Sequence, residues 1–339
     1  MRPAVIGFEL YLKRNHRAID EHLASYFVGG AHPDMTRYLY GPLAEYSANS
    51  GKRHRPLICM LACEAVGGNP ALAQRSAAAI EHFHTAALIH DDIEDGAATR
   101  RGEACFHVKE GEALAINAGD LALSLVTGSV VADPELDDTT KIRVLRELID
   151  MTTRTIEGQA LDIGWTRDER FDLDIGDYLL MAGHKTAFYS GAIPLAVGAI
   201  IGGAASELVE VLRSFGMAAG LAFQIQDDIL NLDGSDRSKD FRIDVTEGKR
   251  TLIMLHALQT LGSEDRAELL GILQAHTTDV DRLHQAVVLA RRAGSVEFAR
   301  DYARNLIVDA KDCLSAALPP TKARDLLLSM ADFFIQRNS

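Results

Sequence analysis

The chain has 339 residues, 47% of them hydrophobic, and its 48 acidic against 35 basic side chains give a net charge of -13. That length suits one large domain or two smaller ones around an ample core, and the negative balance excludes a nucleic-acid partner or an anionic membrane surface as the expected binding target. Cys59, Cys63, Cys105 and Cys313 show no CxxC spacing, so neither a zinc site nor a disulfide framework is expected. The N-terminal stretch MRPAVIGFELYLKRNHRAID has no sustained apolar run, so no secretory signal is read and a cytoplasmic protein is expected.

Residues 3–28 read as an amphipathic helix closed by Gly29, Gly30 and Pro33, and a second helix is expected over 36–48. Ser50 and Gly51 break the chain before GKRHRP (51–56), where Pro56 suits the first turn of a helix running to Val66. Lys52 and Arg55 then lie near a helix N-terminus, whose exposed amides and positive dipole end attract an anion. An ordinary basic loop is the plain alternative. After the turn at 67–70 a helix begins near Ala71 and carries EHFHTAALIHDDIEDGAATRRG (81–102). Helices are expected over 112–131 and 139–163, the latter with Glu157, Gln159 and Asp162, and another from about 176 that holds GHKT (183–186).

Segment 187–206 has no charged residue and is long enough to span a bilayer. Pro194, its glycines and the lack of a matching second span make it a buried core helix instead of an integral membrane segment. A helix over 205–231 follows, then the basic loop DGSDRSKDFRIDVTEGKRT with Lys239, Lys249 and Arg250, and peripheral amphipathic helices from Thr251 onward. No strand pattern, repeat or linker stands out, so the expected architecture is a single all-α bundle over 1–339.

Asp91, Asp92, Glu94 and Asp95 come at the C-terminal end of an alanine-rich helix, where the macrodipole disfavours negative charge, so a compensating cation is expected. Residues four apart share a helix face, which lets Asp91 and Asp95 point the same way with Asp92 beside them. Their oxygens suit Mg2+, an ion shared between one or two carboxylates and substrate phosphates. Arg100 and Arg101 follow, and guanidinium forks fit phosphate oxygens. Acidic helix ends are usually solvated surface, and His90 with Asp91, after His82 and His84, also loosely resembles the metal signature of His-Asp phosphohydrolases. A second acidic cluster decides between these readings. GMAAGLAFQIQDDILNL again ends an apolar helix with an aspartate pair, Asp227 and Asp228. Two such pairs facing across a cavity could hold several cations, and a His-Asp hydrolase needs no second pair.

GKRHRP (51–56), HDDIEDGAATRRG (90–102), GHKT (183–186), FQIQDDILN (223–231) and EGKRT (247–251) occur in that order. On these motifs the chain from about Gly51 to Thr251 resembles the trans-isoprenyl diphosphate synthases of the polyprenyl synthetase family. The resemblance implies the all-α isoprenoid synthase fold and head-to-tail condensation of isopentenyl diphosphate with an allylic diphosphate. It implies Mg2+ on Asp91, Asp92, Asp95, Asp227 and Asp228, with Arg100, Lys185 and Thr186 toward the allylic diphosphate. Isopentenyl diphosphate would sit on Lys52, Arg55, His84 and Arg101. Thr186 and Gln224 would act as dipoles toward the allylic cation, and Lys239 and Lys249 would belong to a lid. The family forms dimers, so a homodimer is implied. Three positions depart from the family pattern: Ala104 and Cys105 replace a Pro-Thr pair, Asn231 replaces the last aspartate of the second motif, and Arg242 stands where a glycine is common.

Going back from Asp91 descends the helix into the pocket, and each turn of about 5.4 Å is close to one isoprene unit. Ala86 and Ala87 leave the wall open, and Phe83, one turn deeper, is the first plausible floor. A product of geranylgeranyl length or one to two units longer is expected. Terpene cyclases share the fold and the first motif but usually carry Asn, Ser and Glu in the second. A non-catalytic partner subunit tends to lose its aspartates, and this chain keeps both pairs.

Overall fold

The computed structural model describes residues 7–49, 51–233 and 243–336. In chain order these form α1 (Phe8–Ala24), α2 (Pro33–Met35), a π-helical turn (Thr36–Tyr40), α3 (Gly41–Ala48), α4 (His54–Ala65), a 3-10 turn (Pro70–Ala73) and α5 (Gln74–Glu94). A hairpin, β1 (Thr99–Arg100) with β2 (Glu103–Ala104), leads to α6 (Phe106–Glu110), α7 (Glu112–Val131), α8 (Asp138–Arg167) and α9 (Ile175–Ala182). A π-helix (Gly183–Ala192), α10 (Ile193–Ile201) and α11 (Ser206–Asp233) follow, then α12 (Ile243–Thr246), α13 (Leu252–Thr260), α14 (Ser263–Gln274), α15 (Val280–Arg292), α16 (Ser295–Ala317) and α17 (Lys322–Gln336). The all-α expectation holds, with the antiparallel hairpin as its one departure among the described residues.

The chain separates into two compact units. One comprises Met1–Thr152, Ile193–Arg213 and Ser315–Met330, and the other Thr153–Ala192, Ser214–Leu314 and Ala331–Ser339.

In the first unit α5 lies along α7. Their seam is built from Ala86 and Ile89 against Ala115, Ala118 and Ala122, closed by Phe27, Leu43 and Phe106. Small side chains let the two backbones approach, and the lost apolar area is made up by the aromatic rings around them. Gly119 of α7 receives the ring of His90, since an added Cβ would fall 2.8 Å from its Cε1. Helix α10 packs on α4 in the same way: a Cβ at Gly198 would lie 2.8 Å from that of Ala62. Every residue of α10 is buried, as an uncharged core helix should be.

In the second unit the π-helix is bordered by glycines. A Cβ on Gly158 of α8 would lie 2.8 Å from Lys185 Cα, and one on Gly220 of α11 would lie 2.7 Å from Ala187 Cα. The wider π coil therefore has room only because its neighbours lack side chains there. This divides the uncharged stretch 187–206, expected as one helix, into π-helical and α-helical pieces that end at Gly202 and Gly203, the latter with φ 81°. By length and composition alone α7 and α11 could cross a membrane, which makes them, and not 187–206, the apolar spans of note.

Candidate active site

At the end of α5, Asp95 donates its N–H to the Asp91 carbonyl at 2.9 Å, and Gly96 turns the chain with φ 61°. The hairpin reverses at Arg101 and Gly102, with φ of 56° and 82°. This brings Arg100 back onto the aspartates, where Nη2 donates to Asp91 Oδ2 at 3.0 Å and Nε to Asp92 Oδ1 at 2.5 Å. Asp92 is wholly buried, and the phenol of Tyr46 donates to its other oxygen at 2.9 Å. The Cys105 thiol also bonds to Asp92, and burial followed by that carboxylate pushes the thiol up to about 12. Burial opposes the charge on Arg100, but Asp92 and Asp91 outweigh it and raise its pKa above the ordinary value. Asp92 is thus an anchored carboxylate, whereas the Asp91 side chain is 26% exposed and Asp95 lies at the surface.

The GKRHRP segment divides its basic residues between two tasks. Arg53 caps α4 in the left-handed region, φ 52°, and its guanidinium is almost wholly buried. It donates to Asp20 Oδ1 at 2.7 Å, to Glu81 Oε1 at 2.8 Å and to the Ser47 carbonyl, so it ties α1, α3 and α5 together. Arg55, in the first turn of α4, is buried near His84, whose pKa is pushed well below its usual value by burial and then by the Arg55 and Arg101 charges. His84 is therefore neutral. Arg101 in turn is lowered by its enclosed surroundings and then by Arg55 and Arg100. The structure thus brings Arg55, His84, Arg100 and Arg101 together, with exposed Lys52 preceding them in the loop. A small pocket of about 40 Å³ opens beside the hairpin, lined by Tyr46, Asn49, Leu88, Arg100, Arg101 and Phe106 among others.

Of the expected chain-length residues, Phe83 is buried and Ala87 half-buried. Ala86 is committed to the α5–α7 seam.

The second pair ends α11. Asp228 is buried, and it accepts from the Tyr178 phenol at 2.8 Å and from Gln224 Nε2 at 2.8 Å. Burial and then Asp228 hold the Tyr178 phenol well above its ordinary pKa, so it stays a donor. Asp227 is partly exposed. The amide of Gln224, expected as a dipole toward a cation, is engaged in orienting Asp228. Lys185, on the π-helix with half-buried Thr186, donates to Asp162 Oδ2, which answers the question of what that buried acid of α8 is for.

Asn231 is buried, and its side-chain carbonyl accepts the Asp244 N–H at 3.2 Å, so the amide in the last aspartate's place fastens α12. Arg250 corrects the reading of a uniformly basic lid. It is buried and donates to the carbonyls of Arg170 and Gly248 at 2.8 and 2.7 Å, with its guanidinium over the Phe171 ring. Lys249 pairs with Glu247 at 2.8 Å, and Lys239 and Arg242 lie outside the described residues.

Sequence reasoning missed Tyr46, Tyr178, Arg53 and the bonding role of Cys105. The only signal for them was indirect: a buried carboxylate needs donors. Among the described residues no three His, Cys, Asp or Glu side chains form a closed metal cage. Hard carboxylate oxygens presented one or two at a time match Mg2+, which keeps water and takes phosphate oxygens for the rest of its shell.

A family profile described as polyprenyl synthetase matches residues 36–290. The chain is 38% identical over 289 residues to a short chain isoprenyl diphosphate synthase of Methanothermobacter thermautotrophicus, covering 85% of this chain and 86% of that protein. Among solved structures it resembles a geranylgeranyl pyrophosphate synthetase from Pyrococcus horikoshii Ot3, with 32% identity, a TM-score of 0.88 and coverage of 97% and 98%. It also resembles a geranylgeranyl pyrophosphate synthase from Corynebacterium glutamicum complexed with isoprenyl diphosphate and magnesium, at 25% identity, TM-score 0.85 and coverage of 96% and 99%.

Proposed function

The chain belongs to the polyprenyl synthetase family of trans-prenyltransferases, and from that premise we propose that it condenses isopentenyl diphosphate head to tail with an allylic diphosphate and releases diphosphate. We read 1–339 as one synthase domain acting in the cytoplasm with Mg2+. The observation that best supports this is the construction of the aspartate pairs. In each, a tyrosine phenol anchors a buried carboxylate, Asp92 or Asp228, beside a partly exposed neighbour, Asp91 or Asp227.

Asp91, Asp95 and Asp227 present the metal-binding oxygens, with Asp92 and Asp228 behind them. Mg2+ bound by these carboxylates would supply positive charge toward the departing diphosphate. Arg100 adds fixed positive charge beside Asp91 and Asp92, and Lys185, held by Asp162, adds it toward the allylic diphosphate. Lys52, Arg55 and Arg101, with neutral His84 as a donor, hold the diphosphate of isopentenyl diphosphate. Thr186 turns a dipole toward the allylic cation, apolar walls keep water from it, and the released diphosphate takes the final proton. Phe83 sets the floor for a product of geranylgeranyl length or one to two units longer.

A homodimer fits one further feature. Ile142, Ile149, Ile156 and Ile163 recur every seven residues along α8 and are 52%, 56%, 59% and 41% exposed. A repeat of seven keeps apolar side chains on one seam of a helix, suited to a partner helix.

The test is to incubate purified protein with Mg2+, labelled isopentenyl diphosphate and starters of several lengths, then size the products. Prenyl diphosphates lengthened in five-carbon steps are expected. Hydrocarbon formed from an allylic diphosphate alone would make it a cyclase, and no turnover by the purified chain would make it a partner subunit.

A further inference from the structure

We propose that His16, on α1 and outside every motif, is a positioning residue for the isopentenyl diphosphate site, holding the peptide before Lys52 as an imidazolium. The proposal rests on the reading of Lys52 and Arg101 given above. His16 Nε2 is 2.6 Å from the Gly51 carbonyl oxygen, and Nδ1 is 2.7 Å from Asp20 Oδ2. A carbonyl oxygen only accepts, and so does an ionised carboxylate. Asp20 forms an ion pair with the Arg53 guanidinium through its other oxygen, Nε to Oδ1 at 2.7 Å, and is taken as the carboxylate. Both ring nitrogens of His16 must then donate, which only the protonated ring can do.

What it holds is the start of the substrate loop. Gly51 has φ 110°, a conformation open to glycine. On another side of Gly51 lies the Arg101 guanidinium, since an added Cβ would fall 2.7 Å from Arg101 Nη1. The peptide therefore lies between the His16 ring and the Arg101 guanidinium. Arg53, one residue past Lys52, is locked by Asp20 and Glu81. Lys52 thus springs from a backbone anchored on both sides, one anchor permanently charged and the other dependent on a proton. Deprotonation turns one donor of His16 into a lone pair facing an acceptor, which loosens either Gly51 or the Asp20 end of the Arg53 network. The charged groups linked to the ring are Asp20 of α1 and, through it, Arg53 of the loop and Glu81 of α5, with Arg101 of the hairpin beside Gly51. The His16 and Asp20 side chains are 40% and 32% exposed, so the proton exchanges with solvent, unlike that of buried His84.

The test combines histidine nitrogen NMR on the full chain with kinetics of His16→Gln and His16→Ala. Both nitrogens of His16 should carry protons in the native fold. His16→Ala should raise KM for isopentenyl diphosphate about threefold to tenfold, as expected for one charge-assisted hydrogen bond. His16→Gln, which keeps one donor, should raise it less. KM for the allylic starter and kcat should stay within about twofold, and the rise of the wild-type KM with pH should flatten in both variants. A singly protonated ring in the native fold, an unchanged KM, or a parallel fall of all parameters would overturn the proposal. Should the protein condense nothing, the functional reading fails separately. The NMR result and the affinity for inorganic diphosphate, weaker in His16→Ala, then decide the role of His16.

Discussion

The two aspartate pairs share a scaffold and differ in their charge partners. At the end of α5, Asp92 is wholly buried, with the Tyr46 phenol on one oxygen and Arg100 on the other. At the end of α11, Asp228 is 5% exposed, with the Tyr178 phenol on one oxygen and the Gln224 amide on the other. A buried carboxylate must have its lone pairs filled, and a phenol does this without cancelling charge. Arg100 does cancel charge, and it reaches Asp91 as well. Gln224 orients only. The first pair thus has an arginine spanning both its carboxylates, while Asp228 of the second takes a phenol on one oxygen and an amide on the other.

The harshest way to break this comparison is to remove the exposed member of each pair. Asp91→Asn and Asp227→Asn should each lower kcat by about a hundredfold or more while the helical circular dichroism is retained. If only one of them matters, the pairs do not share a role. Next in size is the charge partner. Arg100→Gln leaves Asp92 buried beside a weaker partner and should cost about 3 kcal/mol in denaturant unfolding, part of it regained in a double variant with Asp92→Asn. Gln224→Ala should cost about 1–2 kcal/mol, the loss of one neutral donor to a buried carboxylate.

The phenols should behave alike. Tyr46→Phe and Tyr178→Phe should each destabilise by about 1–2 kcal/mol, and unequal costs would show that one anchor is decorative. The last effect concerns pH. Helix α5 also carries His82 and His84, and burial lowers His82 to about 3 and His84 well below its ordinary value. The unfolded chain therefore binds more protons than the folded one below about pH 6.5. Stability should fall by up to about 1.4 kcal/mol per pH unit for each histidine as pH drops from there toward 3. His82→Gln should flatten part of that slope.

Much of the fold was legible because helix boundaries are marked locally. The helix expected over 112–131 is α7 to the residue, and the expected starts near 176 and 205 match α9 and α11. The π-helix was not legible, because the room for it comes from Gly158 and Gly220 on other helices. The hairpin escaped because two-residue strands have no periodicity to read. In the site, motif spacing singled out Asp91, Asp227, Lys52 and Arg55. It could not separate Arg53 and Arg250, which are buried fasteners, from neighbouring cations of the same type. Nor could it find Tyr46, which lies 46 residues before the aspartate it holds.

The central claim is that each aspartate pair takes part in Mg2+-dependent binding of a diphosphate. Its most direct test is calorimetric binding of a non-reactive thiolo analogue of an allylic diphosphate, with and without Mg2+, to the wild type and to Asp91→Asn and Asp227→Asn. The account predicts tight binding only with Mg2+, and a loss of about tenfold or more in each variant. Binding that is indifferent to Mg2+, or wild-type affinity in either variant, would contradict it.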